Sequence, residues 1–274
     1  MEIRKIILTI VYLLSASLKK KAITKKADAG TIEIHTVKQG RIKLRMIGRT
    51  PLYFNSMSSK AMRDLLIGGG KKTAAEKKEI KHNPEQEFRE SVYTKETGDT
   101  YLCFPAPGVK GAMATAALET AGVNKTNVNR GIFMPEDKIQ IWGKPYLKMD
   151  IVRSADMNKT PDVRTRAFLP DWVAEVDIHF NTPTFSNHSI TSLLWNAGIM
   201  VGIGDFRQEK GRGSYGTFAV ASSEDMGEYQ ELWDSLTKEG RDIQQLAMEQ
   251  PECADSQTAE LMQFLQEERL RRAA

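Results

Sequence analysis

Apolar and polar positions alternate along RIKLRMIG, residues 41–48. Ile42, Leu44 and Met46 fall on one side, and Arg41, Lys43 and Arg45 on the other. Period two is the pattern of a half-buried strand. TPLYFN follows, and its proline ends the strand or moves it to an edge. Alternation returns in WVAEVDIHF, 172–180, and strand-like runs occupy KIQIWG (138–143), YLKMDIV (146–152) and TFAVAS (217–222). Helical spacing replaces alternation in PGVKGAMATAALETAG, 107–122, with proline near its start and Gly122 at its end. It does so again in SITSLLWNAGIMVG, 189–202, with Ser189 as the N-cap.

With insertions removed, the order is strand 41–48, helix 107–122, strand 138–152, strand 172–180, helix 189–201, strand 216–222. That is β-α-β-β-α-β, so the expected fold is α+β, a ferredoxin-like (RRM-like) core. Residues 1–30 read as an N-terminal extension. Residues 31–222 form the core domain, interrupted at 56–100 and 153–168. Residues 223–274 read as an acidic tail of two or three amphipathic helices, broken near Pro251. In this topology the turn that opens the first helix and the turn after the second helix lie at one end of the sheet. FPAPGVKG and GIGDFRQEKGRGSYG (202–216) are therefore expected to be neighbours.

Charge adds a direction. From Glu224 onward 13 acidic residues face 5 basic ones, which leaves 34 basic against 22 acidic in the first 223 residues. A basic body with an acidic tail suits a polyanion partner, or a tail that docks on basic surface. A solubilising tail fits the same numbers. The two cysteines lack metal-ligand spacing, so a reducing compartment is the default. The start, MEIRKIILTIVYLLSASLKKKA, carries a weak signal-like pattern followed by lysines. Its apolar run is too short to span a bilayer, and the expected location is cytoplasmic, with no membrane partner.

The loop 202–216 holds five glycines and three cations. Gly202, Gly204, Gly211, Gly213 and Gly216 let another backbone come close. Arg207, Lys210 and Arg212 offer charge to phosphates, and Phe206 and Tyr215 offer stacking faces. A solvated surface hairpin has the same composition. The loop lacks the spacing of a Walker A or a dinucleotide motif. Lys110 lies in the first turn of a helix, where an anion is favoured. Arg153, Lys159, Arg164 and Arg166 mark a basic loop or hairpin. No catalytic constellation is legible around His35, His82, His179 or His188. Asp64 and Asp205 read as solvated or capping acids, and no cofactor or metal is called for.

The pattern G-h-G-x(6)-G-x-G-x-x-G between the last helix and the last strand resembles the signature of the RAMP superfamily, the repeat-associated proteins of CRISPR effector complexes. FPAPGVKGAMATAA resembles that superfamily's P-x-x-x-h-K-G-A segment. The insertions are most similar to those of the backbone subunit that polymerises along guide RNA. The stretch RTRAFLPDWVAEVDIHF with LLWNAGIMVGIGDFRQEKGRGSYGTFAV is also similar to a group of phage-encoded proteins with a RAMP-like core. The resemblance covers about residues 40 to 222 and leaves the Lys-rich start and the acidic tail unmatched. It implies that the five glycines, with Lys210, Arg212 and Lys110, contact a nucleic-acid backbone. It also implies that 153–168, with Arg164 and Arg166, acts as a thumb.

The leading expectation is a sequence-tolerant binder of single-stranded RNA or DNA, RNA first, that forms a homo-oligomer along the strand. CRISPR-like or phage proteins are further partners. The alternatives are a metal-independent endoribonuclease using His35 or His82, and a phage assembly protein without nucleic acid.

Overall fold

The computed structural model describes residues 36–66, 82–153, 160–210, 213–222, 224 and 226–273. Contacts divide the chain into Met1–Val37 and Lys38–Ala274, and the second unit is the subject below. The extension expected over 1–30 lies outside the described residues.

The main sheet is built on β1 (Lys38–Gly48), which realises the alternation at 41–48. It runs antiparallel to β9 (Val173–Thr182) on one edge and β10 (Phe218–Ser222) on the other. Beyond β9 come β6 (Lys138–Trp142), β4 (Leu102–Pro105) and β3 (Tyr93–Thr94), and the short β5 (Ile132–Phe133) also pairs with β9. One face is apolar. Leu44, Met46, Val176 and Ile178 are buried there beneath α3 (Ala106–Ala116) and α5 (Asn187–Met200). The other face carries the polar set, where Arg41 pairs with Asp177, and Lys43 and Arg45 with Glu175.

A second sheet joins β2 (Leu52–Tyr53), β8 (Pro161–Leu169) and β7 (Tyr146–Arg153). The expected single strand 138–152 is thus two strands. KIQIW pairs in the main sheet, while YLKMDIV turns away after Gly143 to pair with β8. The basic stretch 158–168 is the other arm of this hairpin, whose tip at 154–159 lies outside the described residues. The 56–100 insertion contributes two helices, α1 (Ser59–Leu66) and α2 (Pro84–Glu90). Part of it belongs to the core, because Phe88 of α2 is fully buried.

Two helix ends differ from the sequence expectation. α3 stops at Ala116 because its last turn tightens. Leu118 N–H bonds Thr115 O, Glu119 N–H bonds Ala116 O, and the Thr120 hydroxyl also takes Ala116 O. α5 starts three residues early. Ser186 is its N-cap, and Ser189 completes a reciprocal capping box.

Beyond β10, α4 (Lys125–Gly131) having come earlier in the chain, follow α6 (Gln230–Glu249) and α7 (Ser256–Ala273). They are part of the compact unit. Trp233 packs on Trp142 at 5.5 Å and lies under the Arg45 guanidinium at 4.2 Å. The buried Gln244 accepts from the N–H groups of Tyr101 and Leu102 and donates to the carbonyls of Ile141 and Gly143. Arg241 donates to the carbonyls of Lys95, Glu96, Gly98 and Thr100. Among the described residues no helix is long and apolar enough to cross a membrane.

Candidate nucleic-acid interface

The glycine loop leaves α5 and folds back on itself and on β2. Ile203 N–H bonds Gly216 O, Asp205 N–H bonds Tyr53 O, Gly216 N–H bonds Pro51 O, and Tyr215 N–H bonds Phe206 O. The glycines make this folding sterically possible. A Cβ on Gly213 would stand 1.4 Å from Phe206 O, and one on Gly216, at φ +68°, 1.8 Å from Ile203 O. These main-chain donors therefore serve the loop's own architecture.

Arg166 ties this loop to the hairpin. Its side chain is almost wholly buried and bridges Asp205 of the loop (2.6 Å) and Asp150 of β7 (3.2 Å). Its guanidinium stacks on Phe206 at 4.3 Å and Tyr53 at 5.0 Å. Tyr53 lies at the centre of an aromatic group, edge-on to Phe168, Phe206 and Tyr215 at 4.9 to 5.5 Å. Burial pushes the Tyr53 phenol upward from its ordinary range, so it stays protonated.

On its other side the loop faces α3 and α4 across a cleft of about 330 Å³. Gly202, Ile203, Gly204 and Arg207 form one wall; Gly108, Gly111 and Lys125 stand opposite. FPAPGVKG and the glycine loop thus share one cleft. Gly111 differs from the loop glycines. A Cβ there would meet nothing within 4 Å, and the residue sits within α3, where glycine costs about 1 kcal/mol against alanine. Lys125 is exposed in the first turn of α4, the end where a helix dipole disfavours a cation.

The cations expected from sequence are distributed as follows. Lys110 donates to the Asn129 carbonyl at 2.9 Å. Arg207 bonds Gly204 O and pairs with Glu209 at 2.7 Å. Arg164 is exposed on β8, whereas Arg166 is interior. The side chain of Lys210, and all of Gly211 and Arg212, lie outside the described residues, as does His35. Of the site residues expected from sequence, Gly202, Gly204 and Arg207 line the cleft, with Tyr215 and Gly216 behind Gly202 and Gly213 against Phe206, while Lys110 is bonded to the carbonyl of Asn129, itself a lining residue. Arg164 stands apart on the hairpin. Sequence reading passed over Gly108, Gly111, Lys125, Tyr53 and Phe168, and it took Asp205, which pairs with the buried Arg166, for a solvated or capping acid. The GVKG spacing was a signal for the first two. Lys125 has the signal of a cation following an Asn N-cap.

His82 is held at both ring nitrogens, by Glu87 at 2.8 Å and Asp162 at 3.1 Å, in a cleft between α2 and β8. It pins α2 to the hairpin. Asp177 receives Arg41 on both carboxylate oxygens, and that bond holds its carboxyl below the usual range. Cys103 and Cys253 are free thiols. No group of three or more metal-ligating side chains occurs among the described residues.

No family model matches the chain, and no curated protein matches it. Among solved structures, the crystal structure of Cmr6 from Pyrococcus furiosus is similar at 9% identity and a TM-score of 0.35. The match covers 66% of this chain and 97% of that one. The likeness is too loose to carry a fold or a function across.

Proposed function

We propose that this protein binds single-stranded nucleic acid, RNA first, along the cleft between the glycine loop and α3, without sequence preference. The observation that carries the reading is a cleft lined by glycines from both sides, Gly108 and Gly111 of α3 and Gly202 and Gly204 of the loop, with open space at Gly111 and the exposed Lys125 and the partly exposed Arg207 among its lining. A phosphodiester chain approaches main chain closely only where side chains are missing. Gly111 and Lys125 are each locally unfavourable for the helix that holds them, and a ligand in the cleft accounts for both. The order β10-β1-β9-β6, with α3 leading from β1 toward β6 and α5 from β9 to β10, supports a ferredoxin-like core of RAMP type. Exposed apolar side chains on α1 (Met62, Leu65, Leu66) and α5 (Trp195, Ile199, Met200) support self-assembly along a strand.

Fluorescence anisotropy with labelled single strands across a salt series tests the reading. Phosphate contacts make affinity fall with salt, with a slope of about −0.7 per contact on single strands. The double variant Lys110→Ala/Lys125→Ala is expected to bind several-fold more weakly on every sequence and to flatten the slope by about 1.4. An unchanged affinity and slope would remove the cleft from consideration. Among the described residues no observation favours the ribonuclease alternative, since both ring nitrogens of His82 are engaged by carboxylates.

A further inference from the structure

The second sheet carries an aromatic row on the face turned away from the main core, a face the glycine loop partly covers at Tyr53 and Arg166. Directly paired residues of neighbouring strands share a face. Tyr53 pairs with Phe168, and Phe168 with Tyr146, so three rings cross β2, β8 and β7 in register. Arg166 opposite Lys148 forms the next row, then Arg164 opposite Asp150. Cations lie over two of the rings: Lys144 Nζ is 5.1 Å from the Tyr146 centroid, and Lys148 Nζ 5.7 Å from that of Phe168. Phe206 and Tyr215 extend the row from the glycine loop. Tyr53 is buried, while Phe168, Tyr146, Phe206 and Tyr215 are partly exposed.

We propose that this row is a stacking platform for the bases of the strand whose backbone lies in the glycine-loop cleft. The inference rests on the nucleic-acid reading above and adds the mode of contact. Two features choose this occupant. The partly exposed rings of Phe168 and Tyr146, paired in strand register and each beside a lysine ammonium, offer faces to successive bases, while the buried Tyr53 meets Phe168 edge-on and supports the row from within. The loop residues are also continuous: Phe206 is the chain neighbour of Arg207, which lines the cleft, so the glycine loop presents the cleft on one side and joins the aromatic row on the other. The platform works through stacking more than charge. Lys144 pairs with Glu252 and Lys148 with Asp255, which largely offsets their pull on phosphate. Its contribution to affinity is therefore nearly independent of salt.

The experiment compares the full chain and its Phe168→Leu, Tyr146→Leu and Phe168→Trp variants. Probes are strands of about twelve nucleotides carrying adenine, uracil or no base. The wild type binds adenine strands more tightly than uracil strands, and abasic strands least. Each leucine variant loses about tenfold on adenine strands, in the range of base–aromatic stacking, keeps its affinity for the abasic strand, and keeps the salt slope. Phe168→Trp retains binding. Circular dichroism confirms that each variant is folded. Equal loss on all three strands, no loss on any, or wild-type indifference to bases overturns the platform and leaves the cleft standing. If the leucine variants abolish self-association and spare strand binding, the row is a contact between copies and the platform is overturned. A wild type that binds none of the strands overturns both the platform and the nucleic-acid reading.

Discussion

Replacing Gly216 by alanine would set a Cβ 1.8 Å from the Ile203 carbonyl oxygen, in a left-handed conformation that disfavours side chains. Urea denaturation of Gly216→Ala is expected to show a loss of about 2 kcal/mol or more. Gly111→Ala is expected to do the reverse. Nothing stands within 4 Å of the new methyl, so stability rises by about 0.5–1 kcal/mol, while strand affinity falls several-fold. The pair separates glycines that serve the loop from a glycine that serves a ligand. The spacing of the five glycines was legible in the sequence, but their employment was not. Composition cannot reveal that the N–H groups of Ile203, Asp205, Tyr215 and Gly216 bond carbonyls of the chain itself. Arg166 makes the same point. It reads as a surface cation and folds inward because Asp150 and Asp205, from two distant segments, converge on it. Arg166→Met leaves both carboxylates without that partner. Because they retain some contact with water, the expected cost is about 2 kcal/mol, below that of a wholly buried pair.

At the scale of elements, the main sheet was legible and the small one was not. Alternation marks a residue run as a strand without naming the sheet it joins. YLKMDIV therefore reads as a continuation of KIQIWG, although Gly143 (φ +137°) turns it away to meet β8. β2 is two residues long, too short for any periodic signal. The junction of α6 and α7 depends on Asp255. Its carboxylate accepts from Lys148 and from the Thr258 side chain and N–H, and these bonds lower its pKa to about 2. A depressed carboxyl stabilises the fold above the ordinary value near 4, and that contribution is lost as pH falls toward about 2. Asp255→Asn is thus expected to lower the thermal midpoint at neutral pH. Its gap from the wild type is expected to close on acidification, as measured by circular dichroism across a pH series.

Taken as a whole, the molecule docks its acidic segment on its own body through two ion pairs and a set of bonds to main-chain groups. Glu252 and Asp255 pair with Lys144 and Lys148, and Arg241 and Gln244 anchor α6 to main-chain groups around the main sheet. The asymmetry of charge was plain in the sequence, whereas its internal pairing needed the fold. Self-assembly belongs to this scale. Sedimentation velocity is expected to show the protein alone at small size, and a series of larger species when a long single strand is added. A single species of one protein per strand, whatever the strand's length, would end the polymer reading.

Gln244 also sets an order of events during synthesis. Its side chain satisfies four main-chain groups between Tyr101 and Gly143, yet it leaves the ribosome 101 to 143 residues after them, at around 5–20 residues per second. For several seconds the nascent sheet holds those groups, and the Trp142 ring, open to water and to other chains. A premature stop anywhere between β10 and Gln244 would make that interval permanent, so nonsense products of this region should appear as aggregates or chaperone clients and not as shortened, working protein.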